Sequence, residues 1–492
     1  MSLTTDNINP MSVVAKRTNH DESNPALKTS TDIKINEICD LTLLQKYNTS
    51  GPRYTSYPTA VSFTHEFNEN DFKCSVEELR HTGAKDSLSL YIHIPFCHSL
   101  CYYCACNKIV TRNNDKLERY LHYLKKEIQQ RSQLFVDFTV DKIHFGGGTP
   151  SFLSPKQLAG LLSFISKKFT LSEDLDQSIE IDPRNLPNNF LRDLFLMGFN
   201  RLSFGVQDVN KSVQEKINRV QSTALLISLI DRAKQLGFAS INVDLIYGLP
   251  GQNIESLKQT LRAIKHLDPD RISLFSYAHM PKLFAAQRKI KDEWLPDTEQ
   301  KFTLFNYLAI NLIEQGYHFI GMDHFAKPKD ELCVAAREKR LYRNFQGYTT
   351  DKSNCILGIG VSSISSLGRS YAQNVKNLNE YYAAIDRDVS ILDKGLILSL
   401  DDEIRRSLIQ QLMCNFYVDK NAFSKLHQID FDVYFAKSLS ELVPLVKDGL
   451  LSETEDAIYV HAKGRLLIRN ICINFDAHIG HERHKMRYSR VI

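Results

Sequence analysis

The sequence predicts an α/β protein: a partial (β/α)6 barrel with an extended sheet, followed by a mostly helical, winged-helix-like C-terminal domain. Three observations carry this prediction. Between residues 87 and 277, short apolar runs alternate with amphipathic stretches of helical period, the rhythm of repeated βα units. Polar, glycine-bearing motifs close the apolar runs, and barrel-like α/β folds gather their chemistry at the C-terminal ends of the strands. Beyond residue 400 the period becomes helical, and two short apolar runs precede a last helical stretch.

Taken in order, strands are predicted at 87–94, 141–145, 177–181, 201–205, 239–246 and 271–277. Helical patterns at 116–130, 155–168, 223–236 and 254–267 lie between them. Six parallel strands with helices outside curl into a barrel-like sheet. A seventh helix–strand pair, 298–315 and then 317–321, extends the sheet before a less regular, Gly- and Ser-rich region from 325 to 370. The C-terminal unit ends with apolar runs at 449–451 and 458–460 and a helical stretch at 462–470. The expected units are a disordered polar tail (1–46), an N-terminal arm (47–86), a catalytic domain (87–370) and the helical C-terminal domain (371–492). Winged helices often bind DNA, but this one carries no basic stripe, so a packing or capping role is expected and nucleic acid is not.

Composition narrows the class. Hydrophobic residues make up 43% and charged residues 24%, the balance of a globular protein. A formal charge of +4 over 61 basic and 57 acidic residues gives no strong field, so any anionic ligand must be met locally. No apolar run reaches the roughly 20 residues of a membrane span, which predicts a cytoplasmic chain without a membrane partner. The chain is long enough to bury its own core, so a monomer is expected. Six of the ten cysteines are scattered while Cys97, Cys101, Cys104 and Cys106 crowd together. That clustering points to metal chemistry in a reducing compartment rather than to a disulfide scaffold.

The cysteine loop, Cys97-x3-Cys101-x2-Cys104, follows the first predicted strand. A structural zinc site takes four ligands, often as two separated pairs, and no second pair exists in this sequence. Three thiolates on one short loop suit a 4Fe-4S cluster whose fourth iron stays open to chelate a small molecule. Cys106 offers itself as a spare or alternate ligand, but the short loop leaves it little freedom to join the other three, and it is placed outside the ligand set.

This spacing at the end of the first strand of a βα barrel resembles the radical S-adenosylmethionine superfamily, which implies a TIM-like radical SAM barrel. There the open iron binds the amino and carboxylate groups of S-adenosylmethionine, and one electron cleaves it to methionine and a 5′-deoxyadenosyl radical. Further strand ends fit the same pattern. Phe145-Gly146-Gly147-Gly148-Thr149-Pro150 lets backbone groups approach a ligand closely. At the third strand, alternation puts Glu180 and Asp182 on one face, where ribose hydroxyls would supply the donors that two carboxylates need. Arg201-Leu-Ser-Phe-Gly205-Val-Gln207-Asp208 and Asn242-Val-Asp244-Leu-Ile-Tyr247-Gly248 likewise end strands with polar residues beside a glycine.

Within that superfamily the sequence resembles the oxygen-independent coproporphyrinogen III oxidases from about residue 47 to its end. The distinguishing segments are Gly51-Pro52-Arg53-Tyr54-Thr55-Ser56-Tyr57-Pro58, Cys104-Ala105-Cys106, Gly321-Met322-Asp323-His324, Gln346-Gly347-Tyr348 and Gly360-Val361-Ser362-Ser363-Ile364. The resemblance implies two S-adenosylmethionine molecules. One would touch Tyr91, Gly147, Glu180 and Ile364; the second Tyr103, Gly148, Thr149, Gln207, Arg219, Asp244 and Ala278. Tyr103 stands where the family commonly has Phe, which keeps aromatic stacking but leaves a hydroxyl to be partnered. The implied reaction converts two propionates of coproporphyrinogen III to the vinyls of protoporphyrinogen IX, in haem biosynthesis, with an external electron donor and acceptor. Four propionates need local cations, for which Arg53, Lys108, Arg112 and Arg184 are candidates, and the arm at 51–60 is a candidate lid. A related haem chaperone without decarboxylase activity is the alternative. It generally lacks the extra cysteine and the Pro-Arg-Tyr arm found here.

Overall fold

In the computed structural model the structure describes residues 41–81, 87–350 and 355–479. The expected tail at 1–40, the end of the arm at 82–86 and the last residues, 480–492, lie outside the described residues.

Six parallel strands form the centre of the molecule: β1 (Leu88–Ile94), β2 (Thr139–Gly147), β3 (Thr170–Ile181), β4 (Arg201–Gln207), β5 (Ser240–Tyr247) and β6 (Arg271–Ser276). Their two faces follow from a side-chain period of two. On β1, Leu88, Leu90, Ile92 and Ile94 are fully buried in the main core, as are Ile143 and Phe145 on β2, Leu202 and Phe204 on β4, and Val243 on β5. The intervening positions are polar: Tyr91, His93, His144, Glu180, Ser203, Asn242 and Asp244. One face thus meets a jacket of helices, while the other gathers hydrogen-bonding groups that a purely structural sheet would not need.

The connecting helices have readable ends. Ser222 accepts from Leu225 N at the start of helix Thr223–Leu236, and Gly237 closes it with φ +90°. Asn253 and Ser256 form a capping box before Ile254–Leu267. Both helices have the boundaries that the sequence predicts.

The sheet is larger than predicted. Residues 318–321 do not join β6 directly: β7 (His318–Gly321) pairs only with β8 (His324–Ala326), and β8 inserts antiparallel beside β6. The region from 325 to 370, expected to be irregular, supplies β9 (Cys355–Ile359), a seventh parallel strand against β1, and β10 (Ile364–Leu367). Two further antiparallel strands, β11 (Ser370–Asn374) and β12 (Leu392–Ile397), complete a twelve-stranded sheet. The expected boundary at 370/371 therefore falls within a hairpin, and the C-terminal unit begins with helix Leu400–Asn415.

That unit has a three-stranded sheet made of Tyr417–Asp419, Ala457–Val460 and Leu451–Glu453, as a winged helix requires, and shares a hydrophobic core with Phe302, Ile320, Ala326 and Leu332 of the preceding domain. The helical stretch expected at 462–470 is two short helices, Ala462–Arg465 and Ile468–Cys472. Residues 41–46, assigned from sequence to the tail, form helix Leu41–Lys46 and bury Leu44 in this core. The arm, a candidate lid from the sequence, packs into the same core. Tyr54 and Tyr57 are buried among C-terminal residues, and Tyr54 donates to Asp476 at 3.0 Å. Among the described residues no helix is long and apolar enough to cross a membrane.

Candidate active site

The cysteine loop is held at both ends. Phe96–Cys97 pairs in parallel with Ile109–Val110, which fixes the residues before and after the loop. Inside it, Tyr102 N donates to Ile217 O at 2.9 Å and Asn218 Nδ2 to Leu100 O at 2.8 Å. Cys97 and Cys101 are buried, Cys104 is half-buried and Cys106 is exposed. Burial pushes the Cys97 thiol up to about 11, against a hydrogen bond from the Thr149 hydroxyl at 3.3 Å. Cys104 is shifted down by its contact with Cys106, against burial and with help from the Lys108 ammonium.

Two guanidiniums flank the loop. Arg184 Nη2 and Arg219 Nη1 each lie 3.6 Å from Cys101 Sγ. Both also bind Asp182, at 2.6 Å and 3.2 Å respectively. Burial works against the Asp182 carboxylate, yet Arg219 and Arg184 outweigh it and hold its pKa down at about 2. Arg219 further donates to Gly205 O at 2.6 Å. A side chain at Gly205 would meet Arg219 Nη2 at 2.8 Å and Gln207 Nε2 at 2.9 Å, so the absent Cβ makes room for both.

The second group of residues sits on the neighbouring strand ends. Gly147 N donates to Glu180 Oε2 at 3.2 Å, and His144 Nε2 lies 3.5 Å from Glu180 Oε1. Tyr91 stacks on His144 with centroids 5.9 Å apart, and its hydroxyl is 3.2 Å from His93 Nδ1. Gly147 has φ +113°, and a Cβ there would lie 2.5 Å from the His93 ring. Ile364 reaches this group through backbone: Gly358 is the register partner of Tyr91, and a Cβ on Gly358 would fall 2.6 Å from Ile364 O. Asp244 receives Asn242 Nδ2 at 2.8 Å and the Ser203 hydroxyl at 3.4 Å. Burial, then the negative charge of Glu180, raise the Asp244 pKa to about 6.

The third group joins loop to cavity. Tyr103 packs beside Val213, Ile217 and Tyr277, and burial raises its phenol well above the usual value against the pull of Arg219. Gln287 Nε2 donates to the carbonyls of both Tyr103, at 3.0 Å, and Ala278, at 3.1 Å. Ala278 borders a cavity of about 640 Å³ whose wall includes Arg53, Tyr247, Lys301, Asp323 and Arg469. Of the four cations proposed from sequence for the propionates, only Arg53 lines this cavity. Arg184 is engaged with Asp182 and Cys101, Lys108 donates to Cys104 O at 2.9 Å, and Arg112 is exposed. Lys301 and Arg469 in the wall, and Gln287 behind it, carried no motif, since they sit on the helix Thr298–Glu314, the helix Ile468–Cys472 and the turn Ala285–Lys289, which only the fold brings together.

Three soft thiol donors on one clamped loop, with two guanidiniums to balance thiolate charge, fit an iron-sulfur cluster. Among the described residues no three His, Cys, Asp or Glu side chains converge on one ion-sized point. Ligands of a cluster each bind a different iron and need no such convergence.

Comparison with known proteins gives one answer. The Radical SAM superfamily matches residues 91–264, and the HemN C-terminal domain matches residues 398–467. The oxygen-independent coproporphyrinogen III oxidase of Salmonella typhimurium is 50% identical over 453 residues, 92% of this chain and 98% of the relative. That of Escherichia coli is 49% identical over 453 residues, with the same coverage. The solved structure of coproporphyrinogen III oxidase (HemN) from Escherichia coli, described as a radical SAM enzyme, superposes with a TM-score of 0.85 at 48% identity. It covers 90% of this chain and 99% of that one. The chain therefore belongs to the oxygen-independent coproporphyrinogen III oxidase family of the radical S-adenosylmethionine superfamily.

Proposed function

We propose that the chain oxidatively decarboxylates two propionates of coproporphyrinogen III to vinyls, giving protoporphyrinogen IX without oxygen. The observation that carries this reading is the adjacency of two unlike features: a guanidinium-flanked, three-thiol loop and, one residue pair away, a cavity walled by Arg53, Lys301 and Arg469. Cys97, Cys101 and Cys104 would hold a 4Fe-4S cluster, and when bound it supplies the electron that turns S-adenosylmethionine into a hydrogen-abstracting 5′-deoxyadenosyl radical.

The protein's own part is positioning and exclusion of water, because such a radical attacks any nearby C–H bond. Tyr91, Gly147, Glu180 and Ile364 are assigned to the cluster-bound S-adenosylmethionine. In support, the Gly147 amide and Glu180 carboxylate already converge, and an α-amino group is a donor that Glu180 can accept. Tyr103, Gly148, Thr149, Gln207, Arg219, Asp244 and Ala278 are assigned to the second. Its carboxylate suits Arg219, and its ribose hydroxyls suit Asp244. The substrate occupies the cavity, where cations meet carboxylates that would otherwise be buried unpaired. An external donor and acceptor pass the electrons, and the chain works as a cytoplasmic monomer with the C-terminal unit and arm closing the cavity's far side. The haem-chaperone alternative gains no support from the site, whose cavity wall includes Arg53 of the arm.

The test is anaerobic reconstitution with iron and sulfide, then incubation with S-adenosylmethionine, reductant and coproporphyrinogen III. Protoporphyrinogen IX is the expected product. Full cluster loading with haem binding and no decarboxylation would reverse the assignment in favour of the chaperone.

A further inference from the structure

We infer that Gln287 is a positioning residue: it locks the cysteine loop to the strand-end loop carrying Ala278, so that the three-thiol site and the cavity keep one fixed spacing. This rests on the function proposed above and adds to it the element that couples the two halves of the site. Gln287 is 1% exposed and belongs to the 3-10 turn Ala285–Lys289, outside every motif of the sequence. Its amide is used almost to capacity. Nε2 donates to Tyr103 O at 3.0 Å and Ala278 O at 3.1 Å, while Oε1 accepts from Met280 N at 2.6 Å.

Tyr103 adjoins the ligand Cys104, and Ala278 borders the cavity, so a single side chain spans both. The loop it grips is stiffened from the other side, where the Tyr277 hydroxyl is 2.8 Å from His279 Nδ1 and His279 Nε2 is 3.0 Å from Asp292. Only a primary amide of this length presents two donors and an acceptor here. A carboxylate would keep the Met280 acceptor but set its second oxygen against two carbonyls in a buried place, and a thioether would leave three backbone groups unmet. With the brace gone, the second half of the site shifts against the first, and a radical made at one is lost before it meets substrate at the other.

The experiment compares wild type with Gln287→Glu and Gln287→Met, both as the apo chain and as the reconstituted enzyme. Hydrogen exchange on the apo chain is expected to quicken in 101–106 and 278–284 together. In the reconstituted enzyme, iron content is expected to hold, and vinyl formation to fall on the order of 10²-fold, the cost of an ångström-scale misplacement. The 5′-deoxyadenosine released per vinyl formed is expected to rise severalfold. Faster exchange in 278–284 alone would overturn the brace, as would product loss proportional to iron loss at an unchanged ratio. If neither variant folds, wild-type exchange decides: the Met280 amide must exchange as slowly as β5, and fast exchange there refutes the role. A wild-type enzyme that never decarboxylates would sink the proposed function and still leave the exchange comparison to judge Gln287.

Discussion

The backbone amide of Gly147 donates to Glu180 Oε2 at 3.2 Å, joining the ends of β2 and β3 at the residues assigned to the cluster-bound S-adenosylmethionine. The contact depends on a backbone that only glycine adopts readily, with φ at +113°. Gly147→Ala adds a Cβ 2.5 Å from the His93 ring as well as strain at positive φ. It should cost about 1–3 kcal/mol and lower the melting temperature by several degrees. S-adenosylmethionine binding, measured by calorimetry on the reconstituted protein, should weaken at least tenfold. Unchanged binding would mean that this backbone is not part of the ligand's seat.

Arg219 links Asp182, Cys101 and Gly205, so its removal leaves the buried Asp182 carboxylate with Arg184 alone and the Gly205 carbonyl without its guanidinium. Arg219→Leu should destabilise the fold by about 1.5–3 kcal/mol, the cost of charged hydrogen bonds lost while Arg184 still holds Asp182. Urea denaturation of the apo chain measures it. Arg219→Lys keeps a charge but cannot reach three partners at once, and should recover only part of the loss.

The pH dependence of stability follows from Asp244, whose pKa burial and Glu180 raise from 3.8 to about 6. Between those values the folded chain holds a proton that the unfolded chain has released. Stability therefore falls as pH rises from about 4 to about 6 and is flat above, as far as this group decides. Asp208, raised to about 6 chiefly by burial, adds a slope of the same sign. Asp244→Asn should remove its share, reducing but not abolishing the change in melting temperature across that range. An unaltered slope would show that Asp244 titrates normally.

Cys106 is exposed, while Cys97 and Cys101, two of the three thiols proposed to hold the cluster, are buried and the third, Cys104, is half-buried. Cys106→Ser should retain the iron content and brown colour after anaerobic reconstitution. Serine at 97, 101 or 104 should lose most of both. Loss of iron in Cys106→Ser equal to that in the other three would make it a ligand.

The six central strands were legible because apolar positions alternate or run together, and because each ends in glycine or polar residues. Helices 223–236 and 254–267 were legible to the residue, since Ser222, Gly237 and Asn253 mark their ends. The strands β9 to β12 were not. β9 is only a five-residue apolar run, Cys-Ile-Leu-Gly-Ile, and β10 to β12 mix polar and apolar residues without a clear period; pairing with β1 and with one another carries them, a tertiary effect that local pattern does not encode. Likewise the motif residues at the strand ends could be read along the chain. Gln287 and Arg469 meet their partners only through the fold, 184 residues away from Tyr103 and 417 from Pro52.

Arg469 is tied to the arm by that same long-range contact. Its Nε donates to Pro52 O at 2.7 Å, which sets Arg53 of the arm into the cavity wall, where it pairs with Asp323. Burial, then the charge of Arg53, push the Arg469 pKa down to about 9, so positive charge is crowded at this part of the wall. A wall in that state is relieved by an anion, and each charged hydrogen bond to a propionate is worth about 1.5–3 kcal/mol. Arg53→Met should therefore weaken coproporphyrin III binding about tenfold or more, measured by Soret absorbance in the apo chain. Protoporphyrin IX, with two carboxylates instead of four, should lose less. Equal losses for both porphyrins would show that Arg53 shapes the cavity without reading the propionates.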